Sequence, residues 1–247
     1  MPAVRAAATY ELVVDQIRRA IYLGRFLPGD KLPPERDLAN QMGISRTTIR
    51  EAIRLLEGEG LLEIRRGATG GLIVRERARL SKREAQAHVA NQCQLIDHIF
   101  DFRLATECAA AALAAKRHTD PQRRMMRKLL DEMTELTATA EDRQRVANIA
   151  KFTARDSAFH LAIATASLNP FLIKAVEEGR AEMFERIGRV FNRIEERSDQ
   201  YYEELFDAIA GRNAAAASDS MRKHLEASRQ SIHDMLPLSK RPTRAAA

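Results

Sequence analysis

The stretch Gly43-Ile44-Ser45-Arg46-Thr47-Thr48-Ile49-Arg50-Glu51-Ala52-Ile53-Arg54-Leu55-Leu56 constrains the fold more than any other part of this chain. Ile49, Ala52, Ile53 and Leu56 recur at i, i+3, i+4 and i+7, the stripe of a helix packed on a core. Arg46, Thr47 and Arg50 fall on the other side, near the N-terminal end. Gly43 permits a tight left-handed turn before the helix, and Ser45 is a good N-cap. Such a helix buries one side and presents guanidinium groups and a hydroxyl at its front end, as reading the major groove of DNA requires. An ordinary surface helix with solvated arginines shows the same pattern, so the surroundings decide between the two.

Upstream, Tyr10 to Leu23 carries Leu12, Val13, Ile17, Ala20 and Ile21 as an amphipathic stripe and ends at Gly24. Phe26-Leu27-Pro28-Gly29-Asp30 is a turn sequence. Lys31-Leu32-Pro33-Pro34-Glu35-Arg36 then opens a second short helix, with Pro34 at its first position and Leu38, Ala39 and Met42 facing inward. Only Gly43-Ile44 separates this helix from the next, the spacing of a helix-turn-helix. Downstream, Leu61–Arg66 and Leu72–Arg75 read as two strands around Gly67-Ala68-Thr69-Gly70-Gly71, a hairpin able to act as a wing against phosphates or the minor groove.

The run Pro28-Gly29-Asp30-Lys31-Leu32-Pro33-Pro34-Glu35-Arg36-Asp37-Leu38-Ala39, followed by Ser45-Arg46-Thr47-Thr48-Ile49-Arg50-Glu51-Ala52 and by Leu55 to Leu61, resembles the winged helix-turn-helix of GntR-family bacterial transcription regulators. The resemblance covers about residues 8–76. It implies DNA contacts by Arg36, Arg46, Thr47, Arg50 and Gly67: Arg46 and Arg50 at base edges or adjacent phosphates, Arg36 on the backbone, Gly67 in the wing. Pro34 departs from the pattern, since the family usually has a small hydroxyl residue there as N-cap.

The charge distribution agrees with that reading. Residues 1–80 carry 14 Lys/Arg against 10 Asp/Glu, and residues 81–247 carry 26 against 24, so the excess is concentrated in the segment expected to meet phosphates. The two cysteines, Cys93 and Cys108, match no metal or disulfide framework and are expected as free, small buried groups in a reducing compartment. With no apolar run of membrane-spanning length and no signal-peptide core, a cytoplasmic protein without a membrane role is expected.

Residues 77–93 are charged and read as a linker or short connecting helix. Beyond them the chain is rich in Ala, Leu, Glu, Arg and Met. Helices are expected near 94–117, 121–140, 144–167, 170–196, 199–211 and 213–235, with breaks at Thr119-Asp120-Pro121, Asn169-Pro170, Ser198-Asp199 and Gly211-Arg212-Asn213. Six helices with brief links make an antiparallel bundle. The expected fold is therefore mainly α: a winged helix-turn-helix domain with a small β-hairpin wing (8–76), and an all-α antiparallel bundle (94–236). A disordered basic tail (237–247) completes it.

Within helix 144–167, Phe152, Phe159 and Ile163 form the apolar stripe, and Asp156 and His160 lie on or beside it at i, i+4. So placed, they can share one metal, grip one ligand or pair with each other. Left unpaired inside a bundle they would be costly. The order Asp97…Phe102-Arg103…Glu107…Ala114-Ala115, then Asp156-x-x-Phe159-His160…Asn169, then Ala208-Ile209…Ala216…Met221-x-x-His224-Leu225, resembles the FCD effector domain of the FadR subfamily over about residues 94–228. The resemblance implies a divalent metal, zinc or nickel, held by Asp156, His160 and His224. It also implies a carboxylate effector gripped by Arg103 and surrounded by Asp156, His160, Tyr202 and His224. A fourth ligand is expected where this chain has Tyr202, and a neutral phenol is a poor zinc ligand. Asp199, Gln200 or Glu203 could replace it only with a shift in helix register.

His88, His98, His118 and His233 fit no such group, Met125, Met126 and Met133 read as core filler, and Glu195-Glu196-Arg197 reads as a solvated face. The function implied is a ligand-responsive, DNA-binding repressor that is not an enzyme. It would bind a palindromic operator as a homodimer and answer to a small carboxylate. The competing reading is a metal-dependent hydrolase using Asp156, His160 and His224. A purely architectural DNA-binding protein is a third, for which a bundle with buried polar groups is excessive.

Overall fold

The computed structural model describes residues 9–67, 70–76, 78–191, 194 and 198–236, with the side chains of 198 and 199 excepted. The expected tail, the Glu195-Glu196-Arg197 face and the wing-tip residues Ala68 and Thr69 lie outside the described residues. The chain divides into two compact units, Met1–Ala78 and Arg79–Ala247.

The first unit holds helices α1 (Thr9–Tyr22), α2 (Glu35–Met42) and α3 (Arg46–Gly58), with strands β1 (Lys31–Leu32), β2 (Leu62–Arg65) and β3 (Gly71–Val74). Its core unites Val13, Val14 and Ile17 of α1 with Leu38 and Ala39 of α2, Ile49, Ala52, Ile53 and Leu56 of α3, and Leu32, Leu62, Leu72 and Val74 of the strands. The four α3 residues of the predicted stripe are each 0 % exposed, and burying such side chains stabilises by roughly 1.5–3 kcal/mol each for the larger ones. Ser45 caps α3 by accepting from the Thr48 amide at 3.1 Å. Gly43 ends α2 at φ +67°, the left-handed conformation that a side chain would strain. Arg18 ties α1 to the residue after α3 through Glu59 at 2.6 Å.

Two details differ from the sequence expectation. Lys31-Leu32 is a strand rather than the mouth of a helix. It pairs antiparallel with β3 (Lys31 opposite Ile73, Leu32 opposite Leu72) and makes a three-stranded sheet of order β1-β3-β2. Pro34 stands one position before the first helical residue, at the N-cap, where it offers no side-chain cap. The backbone carbonyl of Pro34 accepts from Asp37 and Leu38 instead, so α2 forms without the hydroxyl.

The second unit is built of α4 (Lys82–Arg117), α5 (Asp120–Leu136), α6 (Val146–Ala166), α7 (Pro170–Ile187), α8 (Ser198–Ala210) and α9 (Ala214–His233), with a short 3-10 turn at Asp142–Gln144. The largest correction is α4, which begins at Lys82 rather than near 94 and absorbs most of the expected linker. A capping box starts it: Ser81 Oγ accepts from the Glu84 amide, and Glu84 accepts from the Ser81 amide at 2.8 Å. Ala85, Val89 and Ile96 then supply buried positions along its first turns. α5 stops at Leu136, four residues before its expected end, and α7 stops at Ile187 rather than 196.

Thr119, Asn169 and Asn213 cap α5, α7 and α9 at the breaks expected from sequence. α4 packs on α6, α7, α8 and α9, and α5 packs on α6 and α8. The core joins Ala111, Ala114 and Ala115 of α4 to Met126, Leu130 and Met133 of α5, Phe159 and Ile163 of α6, Leu205 and Ile209 of α8, and Met221 and Leu225 of α9. Met125 is not core filler, being 51 % exposed. Among the described residues no helix is long and apolar enough to cross a membrane.

Candidate nucleic-acid interface and buried polar site

On the first unit, Arg36, Arg46, Thr47, Arg50 and Gly67 are all exposed. Burial of the α3 stripe turns Arg46, Thr47 and Arg50 outward. Arg50 lies against Glu35 of α2, its Nη2 donating at 3.1 Å, while Arg36 pairs with neighbouring Asp37 at 3.2 Å. Both pairs are solvent-screened and weak, about 1 kcal/mol or less, so phosphates or base edges can replace the carboxylates. Gly67 has φ +103° and open space around its α-carbon, so backbone can approach a partner there closely.

In the second unit five helices converge on one buried cluster. Arg103 and Glu107 come from α4, Asp156 and His160 from α6, Arg180 from α7, Tyr202 from α8 and His224 from α9. Arg103 Nε donates to Glu107 Oε1 at 2.6 Å, and the other Glu107 oxygen meets His160 Nδ1. An ionised carboxylate only accepts, so His160 donates to Glu107 from Nδ1 and turns Nε2 towards the centre of the cluster. There Nε2 faces Asp156 Oδ1 and His224 Nε2, each at 3.2 Å. Asp156 Oδ1 also accepts from the Tyr202 hydroxyl at 2.7 Å, and Asp156 Oδ2 accepts from Arg180 Nη2.

The electrostatics follow from burial opposed by charge. Burial pushes the Glu107 carboxyl up, but Arg103 and His160 more than offset it and hold it far below the usual range. Burial likewise acts upward on Asp156, and Arg180 and His160 overcome it, leaving its pKa well below that of a free carboxyl. Tyr202 is pushed well above 10 by burial and by Asp156, so it stays a phenol. His224 is brought down to about 3 by burial and by neighbouring His160, and stays neutral.

The donor set fits a divalent metal. The ligand atoms of Asp156, His160 and His224 lie within 4.8 Å of one another, and donors bound to zinc at 2.0–2.2 Å in tetrahedral array stand about 3.3–3.5 Å apart, close to the 3.2 Å separations here. Two imidazoles and one carboxylate suit zinc or nickel. Tyr202 is no fourth ligand, since its proton is committed to Asp156. Nor do the alternatives replace it: Gln200 bonds Glu204 and Glu203 bonds Arg127, while the side chain of Asp199 lies outside the described residues.

The structure gathers Arg103, Asp156, His160, Tyr202 and His224 around one cluster and adds Glu107 and Arg180, the second of which the sequence pattern did not single out. A signal existed: Val176, Arg180, Phe184 and Ile187 share the buried face of α7, and a cation in an apolar stripe needs a partner. His233, thought isolated, lies with Cys93 and Asp97 in a second, half-exposed group of candidate ligand atoms. Asp97 there already faces Arg229 at 4.0 Å. His118 is structural, its Nδ1 bonding the Ala114 carbonyl at 3.0 Å behind α4.

Both units match families of known proteins. The model of bacterial regulatory proteins of the gntR family matches residues 9–69, and that of the FCD domain matches residues 98–227. The Glc operon transcriptional activator of Escherichia coli K12 is 26 % identical, covering 91 % of this chain and 89 % of its own. The Uxu operon transcriptional regulator of the same strain is 29 % identical over 93 % and 89 %. The HTH-type transcriptional regulator LutR of Bacillus subtilis is 27 % identical over 82 % and 91 %. Among solved structures, E. coli McbR/YncC shares the fold, with TM-score 0.54 at 20 % identity over 93 % of this chain and 99 % of that one. These relatives are transcription regulators, not enzymes. The chain belongs to the GntR family of bacterial DNA-binding transcription regulators, in the FadR-like branch that joins a winged helix-turn-helix to an FCD effector domain.

Proposed function

We propose that this regulator is a repressor that acts in the cytoplasm as a homodimer and binds a palindromic operator, and that a small carboxylate entering the second unit weakens its hold on DNA. The observation that carries the reading is the pairing of an exposed Arg46–Thr47–Arg50 face on α3 with a buried cluster of two guanidiniums, two imidazoles and two carboxylates. Arg46 and Arg50 read base edges or adjacent phosphates, Arg36 holds the backbone, and Gly67 lets the wing approach the duplex.

In the bundle, Asp156, His160 and His224 would hold a divalent metal, with Glu107 orienting the His160 ring. When bound, the metal offers a Lewis-acidic point of attachment for a carboxylate oxygen. Arg103 orients the effector, and the Tyr202 hydroxyl holds Asp156 in place. Linkage then requires DNA to weaken effector binding by the same factor that effector weakens DNA binding.

The test uses the full-length protein and its own upstream DNA, followed by fluorescence anisotropy over a salt series. Binding to this fragment is expected to exceed binding to random duplex and to weaken steeply with salt. Mono- and dicarboxylates of two to six carbons form the effector panel. Arg103→Ala is expected to keep DNA affinity and lose the carboxylate response; retention of that response removes Arg103 from the pocket. A reporter that rises when the gene is deleted supports repression, and one that falls makes the protein an activator.

A further inference from the structure

Arg180 is 0 % exposed, and its Nε and Nη1 have no hydrogen-bond partner. Only Nη2 is engaged, with Asp156 and, at 3.3 Å, Ser157 Oγ. The guanidinium lies over the Phe184 ring, 5.3 Å from its centroid, which gives Nε and Nη1 no acceptor oxygen. Arg103 repeats the arrangement from the facing helix. It is 2 % exposed, its Nε is taken by Glu107, and its Nη1 meets only the sulfur of Met183 at 2.7 Å, a weak acceptor. Arg180 therefore has one protein carboxylate and two further nitrogens with no acceptor, while Arg103 has one carboxylate and a thioether that accepts only weakly. A buried charged donor without an acceptor is costly, and a second, weakly satisfied one beside the same polar cluster shares its explanation.

We infer that Arg103 and Arg180 form a two-guanidinium receptor across α4 and α7, and that the effector is accordingly a small organic dianion, a dicarboxylate. The inference rests on the reading of this cluster as the effector pocket. The two sets of spare donors stand on different helices, and each arginine already has a different protein carboxylate, so one ligand carboxylate serves each set. Charge supports the same stoichiometry. Arg103 and Arg180 are balanced by Glu107 and Asp156, so a divalent ion on Asp156, His160 and His224 leaves two positive charges for the ligand to neutralise in a site closed to water. Gly179 adds a steric reason for the placement. A β-carbon there would come within 3.0–3.3 Å of Phe102 and Arg103, so glycine lets α7 lie close enough to α4 for its next residue, Arg180, to reach the cluster. Arg180 is thus a specificity-determining residue, distinguishing two anionic ends from one.

Thermal shift and calorimetry on the full-length protein, loaded with zinc, test this with length-matched pairs: propanedioate to hexanedioate against propanoate to hexanoate. At least one dicarboxylate is expected to bind tenfold or more tighter than its monocarboxylate partner. Arg180→Lys, which keeps the charge but loses the planar fork, is expected to erase that preference. Equal affinity for the two series in the wild type overturns the inference, as does an Arg180→Lys protein with the wild-type preference. The wild-type comparison decides the matter even where the variant fails to fold. Binding of monocarboxylates alone overturns the dianion inference and leaves the effector pocket standing, whereas absence of binding by either series overturns both.

Discussion

The two units of this protein use arginine in opposite ways. In the first, Arg36, Arg46 and Arg50 stand in solvent, held at most by a weak surface carboxylate. In the second, Arg103 and Arg180 are enclosed, each paired with an acid, and Arg180 is left with N–H groups that nothing accepts. The difference matches the partners proposed for the two units. DNA is a long polyanion that brings its own charge to a surface, so exposed cations need no preorganisation beyond a rigid helix under them. A small anion must be enclosed to be held tightly and told from others, so its cations are desolvated in advance and fixed by carboxylates. Removing a charge from the first unit should therefore change binding but not folding, whereas removing one from the second should change both.

The sharpest break of that contrast is Glu107→Ala. It strands Arg103 and takes the partner from His160 Nδ1, and should cost about 3–5 kcal/mol in denaturant unfolding of the second unit. A loss below 1 kcal/mol would show that the cluster is wetter than its burial indicates.

Next in size is the response to acid of metal-chelated protein. The folded His224 has a pKa of about 3 against an ordinary value of 6.5, so between them the unfolded chain binds the extra proton. That stability is complete above pH 6.5 and drains away as pH falls towards 3. Glu107 and Asp156, both depressed by their cations, add losses of the same sign below about pH 4.5. Stability should fall by roughly 2–3 kcal/mol from pH 7 to pH 4, and His224→Asn should flatten the part above pH 5.

On the first unit, Arg46→Ala and Arg50→Ala should each weaken operator binding by about 1–3 kcal/mol, while unfolding free energy moves by less than about 0.5 kcal/mol. A large loss of stability would place these arginines with the buried pair. The smallest effect is expected from Ser45→Ala, which removes the cap accepting from Thr48. Near 1 kcal/mol of stability should go, with operator affinity following only as far as the start of α3 frays.

The same contrast explains what could be read from the sequence. The head is specified locally. A helical stripe of Ile49, Ala52, Ile53 and Leu56, a cap at Ser45 and a left-handed glycine at 43 lie within fourteen residues, and each does what its chemistry predicts. What escaped there was non-local: Lys31-Leu32 became a strand only because β3 lay beside it. The bundle is specified by contacts across the chain. Asp156 and His160 were visible at i, i+4, and the resemblance joined them to Arg103 and His224, yet no local rule connects Arg180 to Asp156 or Glu107 to His160, 53 residues away. The early start of α4 is legible in the Ser81–Glu84 capping box, which sets the helix start despite the charged composition that follows.

The measurement that bears most directly on this contrast is operator affinity by fluorescence anisotropy for wild type, Arg50→Ala and Arg103→Ala, each with and without the carboxylate panel. Arg50→Ala should bind DNA at least about tenfold more weakly yet keep the thermal stabilisation by carboxylate, and Arg103→Ala should bind DNA as wild type does and ignore the carboxylates. If Arg103→Ala loses DNA binding while remaining folded, or Arg50→Ala loses the carboxylate response, the two populations of arginine do not serve separate partners and the account is wrong.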